Sequence, residues 1–316
     1  VNIDQPKFDQ SIFMGRLKHF VLLTNPLNLL ATGAQLDRAR GIVNDYKAGK
    51  DVSDRVKNTE ELWKAKYLYD SAFHPETGEK MILIGRMSAQ MPMNMLITGN
   101  MLTFYKTTVA VIFWQWINQT FNAVVNYSNR SGANPISNTT ILSTYVVGTS
   151  GAMATALGLN RMVAKMNPLI GRMVPFVAVC AANCINIPMM RFTELQKGVA
   201  LMDSNNNQVG ISKRAAAFGI AAVVCSRVFM AIPGMTFTPV LIEHLTKKGF
   251  FVKYPWAVTP IQTGFVGFVL LFATPLGCAF FRQKAVIKVA HLEKSVREDI
   301  QKKHPNLEEI WFNKGL

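Results

Sequence analysis

Charge is absent from most of the middle of the chain. Met87–Tyr105, Thr107–Asn129, Ser131–Asn160, Met173–Met190, Val228–Ile242 and Tyr254–Phe281 contain no Asp, Glu, Lys or Arg. An uncharged apolar stretch of about 18 residues can cross a bilayer as a helix. The pattern predicts about five such spans: Leu96–Trp116, Ile141–Leu159, Leu169–Met190, Ala216–Ile242 and Val258–Phe281. The first contains Lys106, and its edges are open: Met87–Asn129 reads either as one span with flanking amphipathic pieces or as two tight spans. Gly148, Gly151, Ala152, Ala154, Ala156 and Gly158 would let a neighbour approach the second span closely. Pro175, Pro188, Pro233, Pro239, Pro260 and Pro275 interrupt the others. The fold class is therefore all-α, a multi-pass, proline-interrupted helical membrane protein with a helical N-terminal region.

Three regions follow from the same pattern: a polar helical segment at 1–86, a transmembrane domain at 87–282 and an amphipathic tail at 283–316. In the first, Thr32-Gly-Ala-Gln35 has capping-box spacing and opens a helix carrying Leu36, Ala39, Val43 and Tyr46 on one side, with Gly49 ending it. Asn58-Thr-Glu-Glu61 reads as a second capping box and opens a helix with Leu62, Tyr69 and Phe73 on a stripe beside Trp63 and Tyr67. Ser11–Leu30 is apolar but broken by Arg16, Lys18 and His19, which suits a segment lying in the membrane interface. Arg191–Arg214 reads as a polar, turn-rich loop. The tail reads as an amphipathic helix with Val289, Leu292, Val296 and Ile300 on one stripe, closed by Pro305.

Composition narrows the class. Charged residues make up 17% and hydrophobic ones 49%, against about 25% charged in an ordinary soluble domain. The net charge of +15 comes from 34 Lys+Arg against 19 Asp+Glu. No basic block carries interleaved aromatics, so nucleic acid is not the expected partner; lysines and arginines flanking apolar spans meet lipid headgroups instead. With five spans the short loops hold equal numbers of Lys+Arg on the two sides, so the positive-inside rule gives no orientation. Cys180, Cys184, Cys225 and Cys278 lie in apolar segments without His, Asp or Glu beside them, which suits packing rather than metal binding. The start carries acids and no apolar core, so no cleaved targeting peptide is expected. The N-x-[ST] triplets at Asn118, Asn126, Asn129 and Asn138 are then coincidental. No cofactor, metal or catalytic signature is present, and an enzyme is not expected.

Four features carry candidate chemistry. Gln115, Asn118, Asn122 and Asn126 fall on one helical stripe flanked by Trp114, Trp116 and Phe121. They read either as a polar wall of a substrate path or as the wet end of a helix. Asn183 and Asn186 stand in an apolar span, where an unpaired amide costs several kcal/mol. Pro188 frees a carbonyl near Cys184, and such carbonyls beside amides bind polar solutes in broken-helix carriers; a helix–helix hydrogen bond is the alternative. Arg172 and Arg227 are intramembrane arginines whose planar fork suits a carboxylate. Arg172 can instead snorkel, and Arg227 can instead mark a span boundary. Last, His74-Pro75-Glu76-Thr77-Gly78-Glu79 lies outside the membrane, where Pro-x-x-Gly spacing reads first as a turn and only weakly as an acid/base or metal constellation.

The runs SAFHPETGEKMILIGRMSAQMPMNM, FWQWINQTFNAVVNYSNRSG and NPLIGRMVPFVAVCAANCINIPMMR, with the closing WFNKGL, resemble the sideroflexins over essentially the whole chain. The resemblance implies a multi-pass carrier of the mitochondrial inner membrane, imported without a cleaved presequence. It also implies transport of serine and other small neutral amino acids, feeding one-carbon metabolism. It assigns no individual contact residue. The expected ligand is a small zwitterion: Asn183, Asn186 and the freed carbonyls would take its ammonium and hydroxyl, Arg227 or Arg172 its carboxylate, and Gln115, Asn118 and Asn122 would line the entrance. A di- or tricarboxylate carrier and a non-transporting inner-membrane scaffold linked to iron handling stay open, as do the oligomeric state and the role of His74–Glu79.

Overall fold

The computed structural model describes residues 1–74, 77–104, 107–128, 137–163, 173–204, 207–282, 284–305 and 307–314. The N-terminal region holds α1 (Phe13–Leu23), α2 (Gly33–Lys47) and α3 (Thr59–Ala72). The membrane part holds α4 (Gln90–Phe104), α5 (Thr108–Ser128), α6 (Asn138–Val163) and α7 (Val174–Met190). Strands β1 (Val199–Met202) and β2 (Gln208–Ser212) then lead into α8 (Lys213–Lys247) and α9 (Val258–Phe280). The tail adds β3 (Lys284–Lys288), α10 (Lys294–Lys303) and β4 (Glu309–Asn313).

The helix starts obey the local chemistry of the sequence. Thr32 and Gln35 form the expected capping box at α2, and Gly49 follows that helix with φ +73°. The second box is half made: Asn58 Oδ1 accepts from the amide of Glu61 at 2.9 Å, but the Glu61 carboxylate turns to the amide of Lys57. Leu36, Ala39, Ile42 and Val43 of α2 are buried with Leu62, Ala72 and Phe73 from α3 and its end. Arg16 of α1 is buried and donates to the carbonyl of Ala279 at 2.8 Å, so α1 is clamped to the last turn of α9. Phe13, Met14, Val21 and Leu22 remain exposed on α1, an apolar face suited to the membrane interface.

The membrane helices close a ring. α4 packs on α9, α9 on α8, α8 on α7, α7 on α6, α6 on α5, and α5 returns to α4. The ring's interior is largely apolar, with Ile97 and Met101 of α4, Phe121 and Val125 of α5, and Met235 of α8 in one cluster against Phe176 and Val179 of α7. Outward, Val146 and Val147, Phe229 and Phe237, and Phe268 and Phe272 are exposed, as lipid-facing side chains are. Among the described residues three helices are long and apolar enough to cross a membrane: Asn138–Leu159, Lys213–Lys247 and Pro255–Phe280. Val174–Met190 is a shorter apolar helix.

Two sequence expectations give way. Leu96–Trp116 is not one helix: α4 ends at Phe104 and α5 begins at Thr108, with Tyr105 and Lys106 outside the described residues. Thr107 explains the new start, since its hydroxyl accepts from the amide of Ala110 at 3.2 Å and caps α5. The Arg191–Arg214 loop and the tail are likewise not a plain loop and one helix. They build an antiparallel sheet in the order β2-β1-β4-β3. Val289 and Leu292 precede α10 rather than sitting in it, yet they join Val296 and Ile300 in one core with Leu201, Ile310 and Phe312. The stripe is apolar as expected; its first half is a 3-10 turn at Val289–His291, held just past β3 where the Val289 amide donates to the carbonyl of Glu308 at 2.9 Å.

Candidate substrate site

Asn186 projects from α7 into the seam between α5 and α6. Its Nδ2 donates to Gln119 Oε1 at 2.6 Å. Space for it comes from α6: a Cβ on Gly148 would sit 1.5 Å from Asn186 Oδ1. This close approach is why the second span carries small residues on the face toward α7, where Gly151 likewise abuts Ile185. Gln119, Ala123, Ile141, Thr144, Tyr145, Asn186 and Met190 line a small hollow there, with about 10 Å³ of room for a water centre. That holds about one water and no amino acid, so the seam is closed in this conformation.

The seam is rich in unpaired polar atoms. Asn118 Nδ2, Gln119 Nε2, Thr144 Oγ1, Thr149 Oγ1 and Asn186 Oδ1 are buried without a hydrogen-bond partner among the described residues. Each costs about 1–3 kcal/mol when left so. Two side-chain bonds join helices there: Asn186–Gln119 between α7 and α5, and Thr120 Oγ1–Tyr145 OH at 2.9 Å between α5 and α6. All the groups are neutral amides and hydroxyls, offering both donors and acceptors.

The other sequence candidates are distributed around this seam. Gln115 is fully buried and Asn118 nearly so on α5, with Asn122 half-buried further along. The side chain of Asn126 lies outside the described residues, as do Arg172, Pro75 and Glu76. Asn183 is half-buried one turn from Asn186 on α7. Arg227 lies well inside α8, which runs unbroken from Lys213 to Lys247, so it marks no helix end. It is not part of the amide seam. His74, Thr77, Gly78 and Glu79 are not brought there either. They close a tight turn in which the Glu79 carbonyl accepts from the His74 amide at 2.8 Å and His74 Nδ1 accepts from the Thr77 amide. Phe73 bridges Lys80 across it, and Gly78 supplies the positive φ. Among the described residues no three His, Cys, Asp or Glu are grouped to hold a metal.

Gln119, Thr144 and Tyr145 were missed from the sequence. Gln119 had a signal, standing four residues after Gln115 and so on the same face. Thr144 had none, because threonine hydroxyls in apolar helices usually bond to their own backbone, as Thr155 does to the carbonyl of Gly151 at 2.8 Å, and nothing in the sequence showed that Tyr145 meets Thr120 of α5 at 2.9 Å.

A ring of apolar helices with exposed apolar side chains on its outer face defines a multi-pass helical membrane protein. The chain belongs to the sideroflexin family, whose model, described as Sideroflexins, matches residues 2–316. It is 63% identical to Sideroflexin-1-3 of Drosophila melanogaster, 56% to Sideroflexin-1 of Homo sapiens and 54% to Sideroflexin-3 of Homo sapiens. Each alignment covers 100% of this chain and 98% of the relative. No solved structure matches.

Proposed function

We propose that this protein carries serine and other small neutral amino acids across the mitochondrial inner membrane, supplying one-carbon metabolism, and performs no enzymatic step. The observation that supports this most is the neutral seam between α5, α6 and α7. Its unpaired groups match a solute with a hydroxyl and an ammonium. Asn186, Gln119, Asn118 and Thr144 would hold those groups, and Gln115 and Asn122 would extend the path along α5. Pro188 in α7 and Pro233 and Pro239 in α8 weaken their helices at a few turns, where a closed seam can part to admit the solute. Alternating access then consists of separating α6 from α7 at Gly148 on one side of the seam at a time.

Purified protein in liposomes tests this. Labelled serine should accumulate, unlabelled alanine should compete with it, and citrate should not. Citrate uptake without serine uptake would overturn the reading in favour of a carboxylate carrier; no flux of either would favour a scaffold.

A further inference from the structure

The C-terminal tail places a lysine where its charge is costly. Lys314, just past β4, is 4% exposed. Its carbonyl accepts from Arg191 Nη1 at 2.6 Å. Its Cα and carbonyl oxygen lie 3.6 Å from where a Cβ on Gly219 would be. The ammonium lies 5.6 Å from the centre of the Phe281 ring. The charged and titratable groups acting on it are the Cys278 thiol, Arg191 and Arg227. Arg191 is already neutralised, donating to both oxygens of Glu194 at 2.9 and 2.5 Å. Arg227 and the Lys314 ammonium have no carboxylate partner among the described residues. Burial first, then the two guanidiniums, bring Lys314 down to about 8.

The helix register puts Arg227 at the depth of Asn183, near the seam. Arg191, at the end of α7, and Gly219, in the second turn of α8, meet at Lys314. Eight residues inward from each are Asn183 on α7 and Arg227 on α8, about 12 Å along both helices. Asn183 is one turn from Asn186. Arg227 and Lys314 both interact electrostatically with Cys278 of α9, and Arg227 also acts on Lys314; long side chains can span that depth. Two cations held together in a low-dielectric site repel each other, and an anion between them removes the penalty.

We propose that Lys314 and Arg227 form a carboxylate-binding subsite at the tail side of the ring, so that the tail itself supplies one end of the substrate site. Its role in amino-acid transport rests on the carrier reading above; the binding of a carboxylate there does not. With Arg191 engaged by Glu194, two free cations remain, which suits one carboxylate better than three.

The experiment is a thermal-unfolding series on the detergent-purified full chain with serine, serine amide, acetate and citrate, for wild type, Lys314→Met, Lys314→Arg and Arg227→Gln. Serine and acetate should raise the wild-type midpoint, and serine amide, which lacks the carboxylate, should not. Lys314→Met should raise the midpoint of the empty protein, because an apolar side chain of similar length replaces an unpaired buried charge, while abolishing the carboxylate-dependent rise. Lys314→Arg should retain that rise, and Arg227→Gln should lose it. Acetate acting without serine would keep the subsite and remove the amino-acid reading. Citrate acting far more strongly than serine would keep the subsite and favour the carboxylate carrier. An undiminished serine or acetate effect in Lys314→Met and Arg227→Gln, or no carboxylate effect on wild type, would overturn the subsite. So would Lys314→Met lowering the empty protein's midpoint.

Discussion

The lobe built by the sheet and α10 and the seam between α5, α6 and α7 handle buried polar groups in opposite ways. In the lobe they are closed off. Glu293 accepts from the Ser212 hydroxyl at 2.6 Å and from the amides of Lys213 and Arg214 at 2.7 and 2.8 Å. Ser212 Oγ accepts in turn from the amide of Ala215. One carboxylate thus completes the start of the longest helix. In the seam, beside the Asn186–Gln119 and Thr120–Tyr145 bonds, five buried polar atoms have no partner among the described residues. A protein can satisfy buried groups and does so in the lobe. Among the described membrane helices most of the open groups lie on α5, α6 and α7, with Gln90 Nε2 and Thr263 Oγ1 elsewhere, and the carrier reading takes that concentration as the place where a solute binds.

The contrast can be broken first at Gly148. Gly148→Ala puts a methyl against Asn186 Oδ1, so it should destabilise by about 1–3 kcal/mol, as overpacking does, and reduce serine uptake together with it. Gly148→Ala combined with Asn186→Ala should recover most of that stability without uptake. Thermal unfolding of the single and double variants measures the coupling; additive effects would place the two residues out of contact.

In the lobe, Glu293→Ala should cost about 2 kcal/mol, the scale of charge-assisted hydrogen bonds at a helix start, and leave the affinity for serine unchanged. Burial alone would raise the Glu293 carboxyl. The hydrogen bonds from Ser212 and the amides outweigh it and hold the group below its ordinary 4.5. Its stabilisation is therefore complete above the unfolded value and lost as pH falls through the lower folded one. Denaturation midpoints of wild type and Glu293→Ala should converge in acid.

The smallest expected effect is at Lys314. Its folded value of about 8 lies below the ordinary 10.5. Between those values the unfolded chain holds more protons, so stability should rise with pH over that window. Lys314→Met should remove that part of the slope, read as unfolding midpoints from pH 7.5 to 10.5 in buffers free of carboxylates.

Much of this was legible in the sequence because lipid tolerates so few polar groups. Missing charges located α6, α7, α8 and α9, and the cost of an amide in oil singled out Asn183 and Asn186, of which Asn186 faces α5. The break after Phe104 was harder to place, since its cause is a threonine cap in an otherwise apolar run. The sheet was not legible. β1 is four residues long and pairs with β4, more than a hundred residues away (Met202 opposite Trp311), and short strands of distant origin leave no periodic trace. Gln119 and Thr144 escaped because their importance depends on which face α7 covers. Lys314 escaped because a lysine near the end of a polar tail reads as exposed until the fold buries it.

The claim on which the rest depends is that the seam binds a solute rather than only joining helices. Serine uptake by liposomes holding equal amounts of wild type and Asn186→Leu tests it most directly, with unfolding midpoints as the control for packing. Leucine matches the shape beside Gly148 and removes the amide. Uptake should fall about tenfold or more, equivalent to about 1.4 kcal/mol of lost binding, while the midpoint stays within a few degrees of wild type. Uptake equal to wild type would show that the amide only glues α7 to α5, and the account would fail.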